Sequence, residues 1–121
     1  MSTKPKDPKQ VKKIWVAMST PFQANFFAPL IKELEGEYQF LVTARDHDGI
    51  QSILKSKGID YVTTGKHGGR RLENKLEAYA QTIQQMIPLV EKEKPDLLLT
   101  ERWPEAVRVA FGMNVPSWAL F

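Results

Sequence analysis

The chain has 121 residues, which suits one globular domain and leaves no room for a second. It contains no cysteine, so disulfides, thiolate metal sites and a cysteine nucleophile are excluded. No apolar run approaches the roughly 20 residues that span a bilayer, and the N-terminus lacks the apolar segment of a secretory signal. We therefore expect a cytoplasmic protein without a transmembrane segment.

The net charge of +3 is concentrated at the N-terminus. Residues 1–13 hold five lysines against Asp7, a balance of +4, so the remainder is close to −1. Because this segment also carries Pro5 and Pro8, residues 1–11 are predicted to be a disordered basic leader and residues 12–121 the folded domain. Five lysines alone do not establish a nucleic-acid partner, and none is predicted.

Five apolar segments predict strands, and four segments of helical periodicity lie between them. The predicted strands are residues 11–18, 38–44, 59–64, 97–100 and 115–121. The helices are expected to start near Pro21, Asp46 or Asp48, Leu72 and Pro104. Residues at helical spacing predict the core faces of the first and third helices: Phe22, Phe26, Phe27, Leu30, Ile31 and Leu34 in the first, and Leu72, Leu76, Tyr79, Ala80, Ile83, Met86, Ile87 and Val90 in the third. Pro88 lies inside the third helix and is expected to kink it.

This alternation predicts a three-layer α/β Rossmann-like domain with a five-stranded parallel sheet in the order 3-2-1-4-5. The last strand, residues 115–121, would lie at the sheet edge and is strongly apolar. An apolar edge strand invites pairing with another chain, which predicts a homodimer or a partner subunit at this strand.

Ligands of such sheets bind at the carboxyl ends of the strands. The four loops that follow the first four strands are therefore the candidate sites. The first contains Ser19 and Thr20 before a helix N-terminus, where hydroxyls and the helix dipole can hold an anion. It lacks the G-x-G-x-x-G glycines of dinucleotide sites, and plain capping by Thr20 is the alternative. The second loop offers Arg45 as a fixed cation beside Asp46 and His47, or simply a charged surface.

The third loop, residues 65–71, combines three glycines, one histidine and three cations immediately before a helix. Glycines let backbone N–H groups turn toward a ligand, and the helix dipole adds positive potential. The loop therefore predicts a phosphate cradle, with a flexible connector as the alternative. The expected anion contacts are Arg45 of the second loop and, in this loop, Lys66, His67, Gly68 and Gly69.

The fourth loop places Glu101, Arg102 and Trp103 at a strand end. Glu101 is a candidate general base or hydroxyl ligand, although Arg102 could neutralise it. Trp103 is either a stacking platform or a lid on the fourth helix. Glu101 and His67 are the catalytic candidates. Two histidines without metal-ligand spacing predict no metal site, and no cofactor is expected.

Several segments after residue 11 form a recognisable series: K-I-W-V-A-M-S-T-P-F-Q-A-N-F-F-A-P-L-I-K-E-L-E, L-V-T-A-R-D, G-I-D-Y, G-K-H-G-G, E-K-P-D and P-E-A-V-R-V-A-F-G-M-N-V-P-S. In this order and spacing they resemble the archaeal and bacterial DUF354 family. That family is similar to the GT-B glycosyltransferases and to UDP-N-acetylglucosamine 2-epimerase, which have two Rossmann-like domains around a cleft. The resemblance implies that this chain corresponds to the N-terminal domain, which tends to hold the acceptor.

The chain departs from the family pattern at two loops. Pro21-Phe22-Gln23 stands where a Pro-Pro-His run is common, and Thr100-Glu101-Arg102-Trp103 stands where Ser-His-Gly-Ser is common. Both changes remove imidazole, so the resemblance supports the fold and the cleft more than catalysis.

The resulting expectation is a GT-B-like half-domain that binds a sugar or a phosphorylated small molecule and needs a second domain or subunit for any glycosyl transfer. Gln23, Asn25 and Glu101 would contact an acceptor. The alternative is a non-enzymatic interaction module that has lost its chemistry.

Overall fold

The computed structural model describes residues 10–119. The five strands are β1 Lys13–Met18, β2 Gln39–Asp46, β3 Val62–Lys66, β4 Leu97–Thr100 and β5 Ser117–Ala119. The four helices between them are α1 Pro21–Leu34, α2 Asp48–Ser56, α3 Leu72–Glu93 and α4 Pro104–Gly112. Most of the predicted leader lies outside the described residues, as do Leu120 and Phe121 of the predicted last strand.

The strands form one parallel sheet in the order β3-β2-β1-β4-β5, which confirms the predicted fold class and strand order. β1 lies at the centre, with Val16 paired to Val42 on one side and to Leu99 on the other. Its residues 14–18 are all buried, as expected for a strand that is covered on both faces.

Side chains of β1 alternate between two cores on opposite faces of the sheet. Ile14, Val16 and Met18 belong to the core under α1 and α2, whereas Trp15 and Ala17 belong to the core under α3 and α4. The fully buried Trp15 donates its indole N–H to Thr43 Oγ1 at 2.8 Å, so this large apolar side chain brings no unsatisfied donor into the core.

The core face of α1 agrees with the prediction at Phe27 and Ile31 and differs from it at Phe22 and Phe26. Phe22 and Phe26 are 69% and 50% exposed, and the helix instead buries Gln23, Ala24, Phe27, Ala28 and Ile31. The helix is rotated because Gln23 finds hydrogen-bond partners inside the fold, which makes its burial tolerable. The prediction for Phe22 and Phe26 was therefore wrong.

The third helix starts at Leu72 as predicted, but the prediction that Leu72 and Leu76 face the core was wrong. Leu72 and Leu76 are 80% and 70% exposed, and α3 buries Thr82, Met86 and Val90 from its second half. With 22 residues, α3 is roughly 33 Å long at about 1.5 Å per residue. The longest strand, with 8 residues, spans roughly 26 Å at about 3.3 Å per residue. The first turns of α3 thus have no strand to cover, and the helix continues through Pro88 to Glu93.

Two further absences concern only residues 10–119. None of the helices described there is both long enough and apolar enough to cross a membrane. Within the same range, no three histidine or acidic side chains come together in a group that could hold a metal ion.

Candidate functional site

Two neighbouring cavities lie where β2 and β3 end. The smaller, of about 160 Å³, is here called the cationic cavity. Its lining residues come from β2, from residues 65–71 (here called the glycine loop), from α3 and from α4: Arg45, Lys66, His67, Gly68, Lys75, Ala78, Tyr79, Thr82 and Glu105. The larger, of about 300 Å³, is called the polar cavity and is lined by Asp46, Thr63, Gly65, Lys66, Gln81 and Gln85.

A β-bulge in β3 shapes both cavities. Thr63 pairs with Ala44 and Lys66 pairs with Asp46, so Thr64 and Gly65 together oppose the single residue Arg45. Gly65 has a φ of 80°, and a Cβ on it would collide with the Thr82 hydroxyl of α3. Only glycine can therefore occupy this position without moving α3. The bulge also explains why β3 reaches Lys66 rather than ending at residue 64 as predicted.

The glycine loop is packed against α3 and its backbone is turned by local hydrogen bonds. A Cβ on Gly68 would lie 2.8 Å from Asn74 O and 2.8 Å from Lys75 Cα, so the absence of a side chain lets the loop approach the helix backbone. Gly69 has a φ of 86°, and its N–H donates to His67 Nδ1 at 3.0 Å. The loop is thus a built turn, and it places His67 and Gly68 on the cationic cavity.

The cationic cavity brings together positive side chains that have no carboxylate partner. Among the described residues, Arg45, Lys66 and Lys75 form no ion pair within 4.0 Å, whereas Arg71 of the same loop region pairs with Glu73. One carboxylate, Glu105, also lines the cavity, and its Oε2 accepts a hydrogen bond from Trp103 Nε1 at 3.0 Å. Three cations against one carboxylate leave a net positive site.

Gln23 ties the first loop to the fourth. It is 3% exposed, and its Oε1 accepts from the Ser19 N–H at 2.6 Å while its Nε2 donates to the Glu101 carbonyl at 2.6 Å. Thr20 caps α1, with its Oγ1 accepting from the Gln23 N–H at 3.2 Å, and Asn25 is exposed on α1. Both polar ends of Gln23 are engaged within the protein.

The fourth loop is divided between the core and the surface. Trp103 is 2% exposed and packs in the core under α3 and α4, so its ring face is not open to a ligand. Arg102 is exposed with a φ of 50°, a conformation that non-glycine residues seldom adopt, and it lines neither cavity. Glu101 is half-buried and also lines neither cavity. Of the two catalytic candidates, His67 lines the cationic cavity and Glu101 lines neither of the two cavities described here.

The second loop is shorter than predicted, because β2 extends through Arg45 and Asp46. His47, rather than Asp46 or Asp48, caps α2: its Nδ1 accepts from the Gly49 N–H at 3.0 Å. The cap moves to His47 because its backbone is extended, with a φ of −155°, at the point where the strand ends.

Sequence reasoning missed the contribution of α3. The helix supplies Lys75, Ala78, Tyr79 and Thr82 to the cationic cavity, at the i, i+3, i+4 and i+7 spacing of one helix face. This spacing was the available signal, because a lysine and a threonine lie on one stripe with small and aromatic residues. Gln81 and Gln85, four residues apart, similarly face the polar cavity.

Comparisons with known proteins agree with this fold. The chain is 30% identical over 104 residues to the uncharacterized protein MJ0665 of Methanocaldococcus jannaschii, covering 85% of this chain and 30% of that protein. Its structure resembles UDP-GlcNAc 2-epimerase from Neisseria meningitidis bound to UDP-GlcNAc (TM-score 0.72, 19% identity, 89% of this chain and 32% of that one). It also resembles the Streptomyces sp. SF2575 glycosyltransferase SsfS6 (TM-score 0.65, 19% identity, 91% of this chain and 39% of that one).

The chain thus spans about a third of the length of these proteins. The matched parts of the two solved structures share its fold. The model of one family, described as a protein of unknown function (DUF354), matches residues 12–121, so this chain belongs to the DUF354 family.

Proposed function

We propose that the chain is a GT-B-like, nucleotide-sugar-related half-domain that binds the phosphate of a sugar or other phosphorylated ligand in the cationic cavity. One observation carries the proposal: Arg45, Lys66 and Lys75 line a single cavity and have no carboxylate partner among residues 10–119. Unpaired cations that converge on a concave site repel one another, and an anion relieves that repulsion.

The size of the cavity fits this role. A volume of about 160 Å³ equals roughly five water molecules at about 30 Å³ each, which is room for a phosphate group and some solvent. Backbone N–H groups of the glycine loop and the N-terminus of α3 add positive potential beside the side chains. The fold neighbour that is bound to UDP-GlcNAc makes a phosphorylated sugar derivative a reasonable ligand to test.

We expect the isolated chain to bind without transferring a sugar. Because it covers about a third of the length of these two solved structures, we propose that closure over a donor needs a second domain or subunit. Incubation with UDP-GlcNAc should therefore release no UDP and form no epimer, as followed by nuclear magnetic resonance of the sugar protons. Turnover that Glu101→Ala abolishes would contradict this part of the proposal.

The binding test is a calorimetric titration with inorganic phosphate and with UDP. The parent chain should bind both, and Lys66→Ala should weaken binding about 10-fold, the loss typical of one charge-assisted hydrogen bond. The matched control is Lys57→Ala, which removes the same charge from an exposed residue at the far end of α2. Absence of phosphate binding, or equal affinities of the two variants, would contradict the proposal.

A second candidate function is an interaction module, and the edge strand β5 favours it. Trp118 is 64% exposed on this strand, and Phe111 at the end of α4 is 70% exposed. At about 25 cal/mol per Å², covering half of two aromatic side chains would contribute several kcal/mol before the cost of association. We propose that β5 pairs with a second copy of the chain, which gives a homodimer, or with a partner subunit.

Sedimentation velocity over a concentration series tests this candidate. A discrete dimer should form and should dissociate in Trp118→Glu but persist in Phe26→Glu, a control at an exposed aromatic residue of α1. A chain that stays monomeric at high micromolar concentration would exclude the homodimer.

A further inference from the structure

The polar cavity differs in chemistry from the cationic cavity beside it. It lies at the free edge of β3, which pairs only with β2, and it is about twice as large as its neighbour. Its lining contains one carboxylate, one hydroxyl, two amides, one ammonium group and a glycine, with no aromatic or large aliphatic side chain. Its volume of about 300 Å³ is at the lower end of the range of small-ligand pockets.

The hydrogen-bonding groups of this cavity are only partly used. Gln85 Oε1 accepts from the Gly65 N–H at 2.7 Å, which leaves its Nε2 donors without a partner among the described residues. Asp46 Oδ1 accepts from Gln51 Nε2 at 3.0 Å, which leaves Oδ2 available. The Gln81 side chain has no hydrogen-bond partner in the part of the chain that the structure describes. Donors and acceptors are therefore both free on one small surface.

A mixture of free donors and acceptors fits a ligand whose own groups do both. Sugar hydroxyls donate and accept and are neutral, whereas a phosphate is an anion that mainly accepts, so the carboxylate of Asp46 would favour a hydroxyl over an anion. A nucleobase gains much of its binding from stacking on flat side chains, and the polar cavity offers none. The lining thus favours a polyol over a base or a second phosphate.

Lys66 lines both cavities and so joins them. The bulge at Thr64 and Gly65 places it at the end of β3, between the hydroxyl and amide groups on one side and Arg45, His67 and Lys75 on the other. A ligand that carries a phosphate next to hydroxyl groups would contact both lining sets at once, with the Lys66 ammonium between them.

We infer that the polar cavity is a sugar-hydroxyl subsite, so that the ligand of this edge is a sugar phosphate with its phosphate in the cationic cavity and its ring hydroxyls against Asp46, Gln81 and Gln85. This inference rests on the proposed function, because it takes the phosphate site as given. It adds the class of the remaining part of the ligand and the residues that select it.

The test compares inorganic phosphate with a panel of four hexose 1-phosphates, those of glucose, galactose, mannose and N-acetylglucosamine, by calorimetry. At least one of the four should bind about 10-fold more tightly than phosphate, because several hydrogen bonds are added. Gln81→Ala should weaken that ligand about 3- to 10-fold and leave phosphate unchanged. Lys66→Ala should weaken both.

The control variant is Gln84→Ala, which makes the same change at an exposed position of α3 that lines neither cavity. Both substitutions lie on the exposed surface of the helix, so loss of folding does not confuse the result. As a second readout, the Gln81 side-chain NH₂ signals should shift in ¹H–¹⁵N spectra with the hexose phosphate but not with phosphate.

The possible outcomes distinguish the sugar-hydroxyl subsite from the phosphate site. If phosphate binds and depends on Lys66, but no hexose phosphate binds more tightly or responds to Gln81→Ala, the subsite is refuted and the phosphate site stands. If neither phosphate nor any hexose phosphate binds, both are refuted. Binding of hexose phosphates that depends on Gln81 and Lys66 together supports both.

Discussion

Replacing Gln23 by alanine should destabilise the chain more than any other removal of a polar side chain from α1. The substitution leaves the Ser19 N–H without an acceptor and the Glu101 carbonyl without a donor, after hydrogen bonds of 2.6 Å each. Ser19 is 4% exposed, so water does not readily replace the lost partner, whereas Glu101 is half-buried and its carbonyl can be partly rehydrated.

The magnitude follows from these two orphaned groups. A buried polar group without a partner costs about 1–3 kcal/mol. Counting the Ser19 N–H in full and the Glu101 carbonyl in part gives about 2–4 kcal/mol, a large fraction of the roughly 5–15 kcal/mol that stabilises a domain. In urea, with a slope of about 1–3 kcal/mol per M, the midpoint should fall by about 1–2 M.

The assay is urea unfolding followed by Trp fluorescence, with Gln84→Ala as the control. Gln84 is exposed on α3, and its side chain forms no hydrogen bond in the described chain. Its replacement should therefore change stability by less than about 0.5 kcal/mol. A loss below about 1 kcal/mol for Gln23→Ala would refute the reasoning, because it would mean that the two loops do not depend on this side chain.

Gln23→Glu adds a pH dependence of defined sign. The new carboxylate would face the Glu101 carbonyl in a buried position, and burial and repulsion between the two oxygens should raise the pKa of the carboxyl in the folded state above the roughly 4.3 of an unfolded chain. The native state then binds more protons than the unfolded state. The stability of this variant should therefore be greatest below about pH 4.3, relative to the parent, and decrease as pH rises through the folded-state pKa.

Three further predictions concern positions whose surroundings are defined, each measured by urea unfolding. Among the described residues, Thr64 Oγ1 is a buried oxygen without a hydrogen-bond partner, so Thr64→Val should raise stability by about 1 kcal/mol. Thr43→Val should instead lower stability by about 1–3 kcal/mol, because it removes the acceptor of the Trp15 indole N–H. The same sign for both substitutions would contradict this account. Arg102→Gly should gain up to about 1 kcal/mol by relieving a φ of 50°, and a loss would show that the side chain has a stabilising contact. Gly68→Ala should cost about 1–3 kcal/mol through collision with the backbone of α3, whereas Gly36→Ala, with open space around it, should gain about 0.4–1 kcal/mol; equal effects at the two glycines would contradict the packing argument.

The sheet could be predicted from the sequence because its signals are local. The run from Ile14 to Met18 is continuously apolar, which indicates a strand covered on both faces, and the alternation of strands and helices leaves few topologies open. The order 3-2-1-4-5 is one of the common orders that remain, and the structure has it. Local pattern and global fold agree here.

The faces of α1 could not be predicted, because helical spacing fits more than one stripe. Phe22 and Phe26 are four residues apart, and so are Gln23 and Phe27. Hydrophobicity favours the first pair, but the structure buries the second because Ser19 and Glu101 satisfy the polar ends of Gln23. Those partners are 4 and 78 residues away in sequence, so only the tertiary structure identifies them.

The lining of the cationic cavity was predicted in part. The carboxyl ends of β2 and β3 and the glycine loop were identified, and Arg45, Lys66, His67 and Gly68 do line one cavity. The side of the cavity formed by α3 was missed, because the rotation of a helix against a strand depends on packing. The bulge was missed as well, since one glycine in a strand indicates equally a turn, a bulge or a close contact.

The origin of one cavity wall in α3 has a consequence for the thermodynamics of binding. Lys75, Ala78, Tyr79 and Thr82 are spaced by the pitch of a helix whose later turns, at Met86 and Val90, are held in the core. We therefore expect the backbone of these residues to keep its position when a ligand binds. Ordering a flexible side chain on binding costs roughly 0.5–1.5 kcal/mol. Ordering a mobile loop would add a backbone cost to this side-chain cost. Because the backbone of this wall is already held by the helix, we expect binding to involve little loss of backbone conformational entropy and no slow loop-closing step.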